Sequence, residues 1–160
     1  IVIASPVYVF GITGPMKNLF DRIIPRVHPF IELRDGHSHH PSREKPKICK
    51  YVLVSNCGFW EKDNFDPLIS YMETYCKNTG SEFAGALLRP HGEAMSSMLK
   101  MGIHIGDIFE AAKEAGRQLV ENQKMSQETL NVVSRELLPR EMYIQYANQS
   151  FQQALEELKK

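Results

Sequence analysis

The stretch IVIASPVYVFGITGPMKNLFDRIIP, Ile1 to Pro25, holds a strand, a loop and a helix in that order, and its reading decides the fold. Ile1 to Ala4 is an apolar run that reads as a buried strand. Pro6 has no backbone N–H, so pairing stops at Ser5-Pro6 and the chain enters a loop through Thr13. Gly14-Pro15 suits a helix entry, because the fixed φ of proline fits the first helical position. Met16, Leu19, Phe20, Ile23 and Ile24 recur at three- and four-residue spacing and predict one apolar face, with Pro25 ending the helix.

The same order recurs downstream. Ile48 to Ser55, with Val52 and Val54 beside Tyr51 and Leu53, does not alternate cleanly and predicts a strand buried on both faces, ending at Asn56-Cys57-Gly58. Asp66-Pro67 offers an N-cap and a first-turn proline, Leu68, Ile69, Met72 and Cys76 share a face, and Gly80 is the stop. Phe83 to Leu88 predicts a third strand, which Arg89-Pro90-His91-Gly92 turns away. A helical turn near Met95 to Leu99 precedes a long helix marked by Ile105, Ile108, Phe109, Ala112, Leu119 and Val120. Ser126 caps a short helix carrying Leu130 and Val133, and Met142 to Leu158 has the period of a final helix. Arg26 to Lys47, rich in Pro, His and charge with no apolar period, reads as a long surface excursion.

Alternating strands and helices at this spacing call for parallel strands joined by right-handed crossovers, with helices on both faces. The expected class is open-sheet α/β, with residues 1–125 as its main body and 126–160 as a C-terminal helical extension of the same domain. The chain has 160 residues, 42% of them hydrophobic, enough for one sizeable core but short for two ordinary domains. Lys plus Arg equals Asp plus Glu at 19 each, so no net charge draws it to nucleic acid or to an anionic membrane. The longest apolar runs fall well short of a bilayer span. Cys49, Cys57 and Cys76 suit neither a disulfide framework nor a thiolate metal site, and predict a reducing, cytoplasmic setting.

Ligands of open α/β sheets sit outside the carboxyl ends of the strands, which points to Ser5–Thr13, Asn56–Asp63 and Arg89–Glu93. In the first loop Gly11 and Gly14 permit close backbone approach to a flat ligand, and Tyr8 and Phe10 offer stacking surface. The same residues also fit a plain strand-to-helix turn with core aromatics. SPVYVFGITGPMKNLFDR resembles the loop and helix after the third strand in the NADPH-dependent FMN reductase and iron–sulfur flavoprotein group of the flavodoxin-like fold. There a Ser/Thr-Pro-x-Tyr turn and a Lys…Asp-Arg helix recur, as in Lys17 and Asp21-Arg22 here. The resemblance implies that the loop lies along the flavin ring, and carries cofactor contact onto Ser5, Pro6, Val7, Tyr8, Phe10 and Gly11.

Ser55-Asn56-Cys57-Gly58-Phe59-Trp60 pairs small residues at a strand end with two aromatics, a pattern that brings amides to the edge of a ring and a lid to its face. The resemblance implies flavin contact at Asn56, Cys57, Gly58 and Phe59. Phe59 and Trp60 also suit packing against the next helix, and Cys57 reads best as a small buried hydrophobe. His28, His37, His39 and His40 lack the thiolate or spaced carboxylate that would complete a metal shell and read as a solvated loop, for which the resemblance implies a lid or interface role. His91 and Glu93 fit a nicotinamide or acceptor contact as well as they fit a turn and a helix start.

The resemblance implies an FMN-dependent oxidoreductase that takes electrons from NAD(P)H, binds through its backbone without a catalytic side chain, and assembles as a homodimer or homotetramer. A flavodoxin-like FMN site also needs a Gly/Ser/Thr/Asn-rich phosphate loop after the first strand, and nothing here matches one. An iron–sulfur cluster cannot be assigned from these residues. Without a further strand, Ile1 to Ala4 is expected to form an unpaired hydrophobic edge, so the working protein is expected to be longer or completed by a partner. Two other readings stay open: an electron carrier without NAD(P)H activity, and an interaction module that binds no flavin.

Overall fold

The computed structural model describes residues 1–44 and 49–159, and in them the strand–helix alternation becomes a parallel sheet flanked by helices. Along the chain run β1 (Val2–Ala4), α1 (Gly14–Asp21), β2 (Glu32–Arg34), β3 (His37–His39), β4 (Lys50–Asn56) and α2 (Asp66–Thr79). β5 (Glu82–Arg89), α3 (Gly92–Lys100), α4 (Gly106–Asn122), α5 (Gln127–Val133) and α6 (Arg140–Glu157) follow. The main sheet has the order β1-β4-β5, with Ile3 beside Leu53 and Val54 beside Leu87. Lys45 to Lys47 of the excursion and Ile48 of the predicted strand lie outside the described residues.

Side chains alternate across β4, so the two faces are covered by different helices. Leu53 joins Ile3, Phe20, Phe65, Leu68 and Met72 on the face under α1 and α2. Val52 turns the other way, to Ala115 of α4 and to Met125. The pairing of β4 with β5 shifts between Tyr51 and Val52, where Ala84 is an extra residue. Gly85, next to this bulge, has φ +118°, and a Cβ there would sit 3.0 Å from Met125 Cε, so only glycine fits without strain.

Several expectations change. β1 is the edge strand expected of Ile1 to Ala4, but it is not a buried one: only Ile3 is buried, since among the described residues no helix covers its second face, and Val2 is 63% exposed. For the same reason β4 is not buried on both faces along its length, and Val54 is 38% exposed. In the first helix Leu19 and Ile24 lie exposed while Met16, Phe20 and Ile23 pack inward. The helix ends at Asp21, and Pro25 sits in a separate 3-10 turn, Ile24–Arg26. Val120 of α4 also faces solvent.

The excursion is more structured than its composition suggested. Asp35 and Gly36 both have positive φ, the two-residue turn that joins β2 to β3 as a hairpin. His39, expected in a solvated loop, is buried, with Nδ1 3.0 Å from the Asn78 carbonyl. Arg34 donates to the same carbonyl at 3.1 Å, so the hairpin closes the last turn of α2. Gly80, with φ +67°, ends α2 as expected.

Ser126 caps α5 through its hydroxyl, which accepts from Thr129 N at 3.2 Å. α6 carries no buried residue, and Ile144, Phe151 and Leu155 on it are exposed. Among the described residues no helix is long and apolar enough to cross a membrane.

Candidate functional site

The carboxyl ends of the three parallel strands are laced together by main-chain hydrogen bonds. Val7 N–H donates to the Asn56 carbonyl at 2.8 Å, joining the loop after β1 to the end of β4. Cys57 N–H donates to the Arg89 carbonyl at 3.2 Å, and Gly92 N–H to the Cys57 carbonyl at 2.9 Å, joining β4 to β5. Ser5 is buried, and its carbonyl accepts the Ser55 hydroxyl at 2.7 Å. Its own Oγ accepts Thr13 N–H at 3.2 Å, which closes the loop onto the start of α1.

Between these anchors the first loop makes a tight turn. Tyr8 and Gly11 exchange both main-chain hydrogen bonds, at 3.0 and 3.1 Å, with Val9 and Phe10 at the tip. Both tip residues have positive φ, 49° and 60°, as a two-residue hairpin turn requires. A β-branched valine there is strained, and such strain persists only where the surroundings impose it. The turn carries Tyr8 and Phe10 outward, 66% and 53% exposed, so these aromatics are not part of the core.

The second loop is the complement of the first. Phe59 is 60% exposed, whereas Cys57 is buried and its thiol faces the Phe59 carbonyl at 3.3 Å. Burial pushes the Cys57 thiol above its ordinary value, which disfavours the thiolate and redox chemistry through it. The backbone N–H groups of Val9, Phe10 and Gly58 make no hydrogen bond within the described residues, whereas the Phe59 N–H faces the Cys57 sulfur. Free amides beside exposed aromatic rings are the elements that hold a flat heterocycle by its polar edge and its face.

The structure thus brings the expected residues to one end of the sheet, but in two settings. Ser5, Pro6 and Asn56 line a cavity of about 390 Å³ on the less covered face, with Val54, Phe109 and Arg89 among its other walls. Its lining is mostly apolar, and its size lies within the range of small-molecule sites, about 300–1,000 Å³. Val7 packs against the core, while Tyr8, Phe10, Gly11, Gly58 and Phe59 lie outside that cavity. No Gly/Ser/Thr/Asn-rich phosphate loop stands at a strand end among the described residues. The exposed rings and free amides suit the face and edge of a flat heterocycle, and no phosphate loop stands beside them among the described residues.

Two residues carry more than their sequence context indicated. His91, read equally as a turn residue and as a nicotinamide or acceptor contact, is completely buried at φ 41°, and its Nε2 accepts Leu137 N–H at 3.0 Å. Its Nδ1 makes no hydrogen bond among the described residues. Burial, then the neighbouring Arg89 charge, lowers its pKa to about 4, so the ring is neutral at pH 7. Arg89 is buried too, and donates to the carbonyls of Pro90 at 2.9 Å and Val133 at 2.8 Å, closing the C-terminal end of α5. Desolvation lowers its pKa to about 10 and leaves it charged. Trp60, on which flavin contact and helix packing were equally balanced, stacks on His91 with centroids 6.1 Å apart and donates Nε1–H to the Leu138 carbonyl at 3.0 Å. The one available signal was the Pro90-His91-Gly92 sequence directly after a strand.

Among the described residues no group of three or more His, Cys, Asp or Glu is placed to hold a metal ion. His37 lies 2.8 Å from Lys77 Nζ, and His40 Nδ1 lies 3.0 Å from the Phe30 carbonyl. Comparison with known proteins finds no matching family model, no matching curated protein and no matching solved structure.

Proposed function

We propose that this chain is the ring-binding part of a flavodoxin-like FMN-dependent oxidoreductase of the NAD(P)H-dependent FMN reductase type. The observation that carries the reading is the Val7–Asn56 hydrogen bond, 2.8 Å, which brings the two loops carrying the family-like residues to one strand-end surface. Unbonded amides at Val9, Phe10 and Gly58 and exposed rings at Tyr8, Phe10 and Phe59 support it further. Bound FMN supplies the redox chemistry, accepting hydride from NAD(P)H and passing electrons to an acceptor. The chain's own residues bind and orient the ring and limit water at its face. A homodimer or homotetramer in a reducing cytoplasm belongs to the same reading, supported by free cysteines at Cys49, Cys57 and Cys76.

The test is titration of the purified protein with FMN, followed by flavin fluorescence and the visible spectrum. Saturable quenching with resolved flavin bands is expected, and NAD(P)H oxidation with an artificial acceptor separates a reductase from an electron carrier. A protein that stays colourless and leaves FMN fluorescence unchanged overturns the flavin reading. The interaction-module reading then takes its place.

A further inference from the structure

α6 runs for 18 residues, Arg140 to Glu157, and none of them is buried. Among the described residues its hydrogen bonds and ion pairs to other elements lie in its first turn. The Tyr143 hydroxyl donates to the Gly58 carbonyl, and the Arg140 guanidinium lies over the Trp60 ring at 5.9 Å and 3.9 Å from the Glu61 carboxylate. From Asn148 onward every residue of the helix is exposed. A helix held only at one end is marginal in water, because most helical stability in proteins comes from packing an apolar face.

The exposed surface is not that of a solvated helix. α4 shows what a water-facing helix of this chain carries: Glu110 with Lys113, and Arg117 with Glu114 and Glu121, are ion pairs one turn apart. α6 has no charged residue from Met142 to Leu155. Ile144, Phe151 and Leu158 recur at seven-residue spacing, with Ala147 and Ala154 between them and Leu155 alongside. Seven residues make nearly two full turns, so these side chains form one stripe along the helix. Ile144, Phe151, Leu155 and Leu158 are each about half exposed or more. Exposed aromatic and aliphatic side chains in a charge-depleted span have the composition of an interface core.

The stripe is complementary to its own reversed copy. With two helices antiparallel and Gln149 at the two-fold axis, Ile144 of one copy faces Ala154 of the other and Ala147 faces Phe151, so a large side chain meets a small one in each layer. Parallel pairing in register sets large against large and leaves gaps at the alanine layers. Charge favours the same direction. The Arg140 guanidinium, half exposed, comes to lie beside Glu157 of the other copy at both ends of an antiparallel pair, whereas a parallel pair sets Arg140 against Arg140.

We infer that α6 is the self-association element of this protein, and that two copies pair antiparallel through the stripe of Ile144, Phe151 and Leu158. A homo-oligomer already belongs to the flavin reading; placing its interface on α6 goes beyond that reading and stands without flavin.

The test is the mass of the full chain in solution, measured by sedimentation equilibrium at micromolar concentrations with no flavin present. Dimers of twice the 18.3 kDa chain mass are expected. Phe151→Glu, at a position 61% exposed, is expected to keep the fold and to weaken the dimer about a hundredfold or more, since pairing then buries an unpartnered carboxylate. Nitroxide labels at Lys159→Cys, with Cys49→Ser removing the half-buried thiol, read the direction. The labels are expected about 30 Å apart, the length of the paired helices, where a parallel pair holds them closer than about 20 Å. A chain that stays monomeric, a dimer that survives Phe151→Glu, or a short label distance overturns the inference. Each of these outcomes is independent of whether FMN binds.

Discussion

Ser55 on β4 donates its hydroxyl proton to the Ser5 carbonyl, 2.7 Å away, where the chain leaves β1, and both residues are buried. The bond satisfies a main-chain acceptor just past the point where strand pairing ends. Ser55→Ala leaves that carbonyl buried without this donor and is expected to cost about 1–3 kcal/mol. Urea unfolding should show a lower midpoint with an unchanged slope, and Ser55→Thr, which keeps the hydroxyl, should lose less.

The strained turn at Val9 and Phe10 predicts opposite effects on stability and binding. Val9→Asn with Phe10→Gly places residues that accept positive φ at both tip positions. Stability should rise by about 1–2 kcal/mol, read as a higher Tm. On the flavin reading the same change removes an exposed ring and weakens FMN binding. Gain of both stability and affinity would argue against Phe10 as a ligand contact.

Gly85 is tested by adding one methyl group. Gly85→Ala forces a Cβ into a backbone at φ +118° and to 3.0 Å from Met125 Cε. The expected loss is about 1–3 kcal/mol, from backbone strain and overpacking. Pairing it with Met125→Ala should recover only the steric part, because the φ stays unfavourable.

His91 predicts a pH dependence of stability. Its folded pKa is lowered to about 4 from an ordinary 6.5. Above pH 6.5 folded and unfolded chains both hold the ring neutral, and its contribution is fully present. Between about 6.5 and 4 the unfolded chain takes up a proton that the folded chain refuses, so stability falls as pH drops. The loss by pH 4 is on the order of 3 kcal/mol, and below that this group adds no further slope. His91→Asn, which tolerates the left-handed backbone, should show a shallower fall over the same window in denaturant unfolding.

Much of the element order was legible because its signals are local. The Asp66-Pro67 start and Gly80 stop of α2, the Ser126 cap of α5 and the strand ends at Pro6 and Asn56 each depend on a few neighbouring residues. The Asp35-Gly36 turn was equally local, but its flanks carry histidines and charges in place of an apolar alternation, so the hairpin did not stand out. Of the candidate site, the two loops were legible from glycine and aromatic content beside strand ends. The outward aim of Tyr8, Phe10 and Phe59 was not, since it depends on the turn at Val9-Phe10 and on which carbonyls are tied down.

The sequence by itself determined the α/β class, the order of elements and the loops at the strand ends, because periodicity, prolines and glycines act over a few residues. Only the tertiary structure decided that Val54 of β4 is left partly exposed, that His91 is buried, and that α6 reaches Gly58. Those outcomes rest on which surfaces meet. His91 meets Leu137 across 46 positions and Tyr143 meets Gly58 across 85, and no local pattern encodes contacts at that separation.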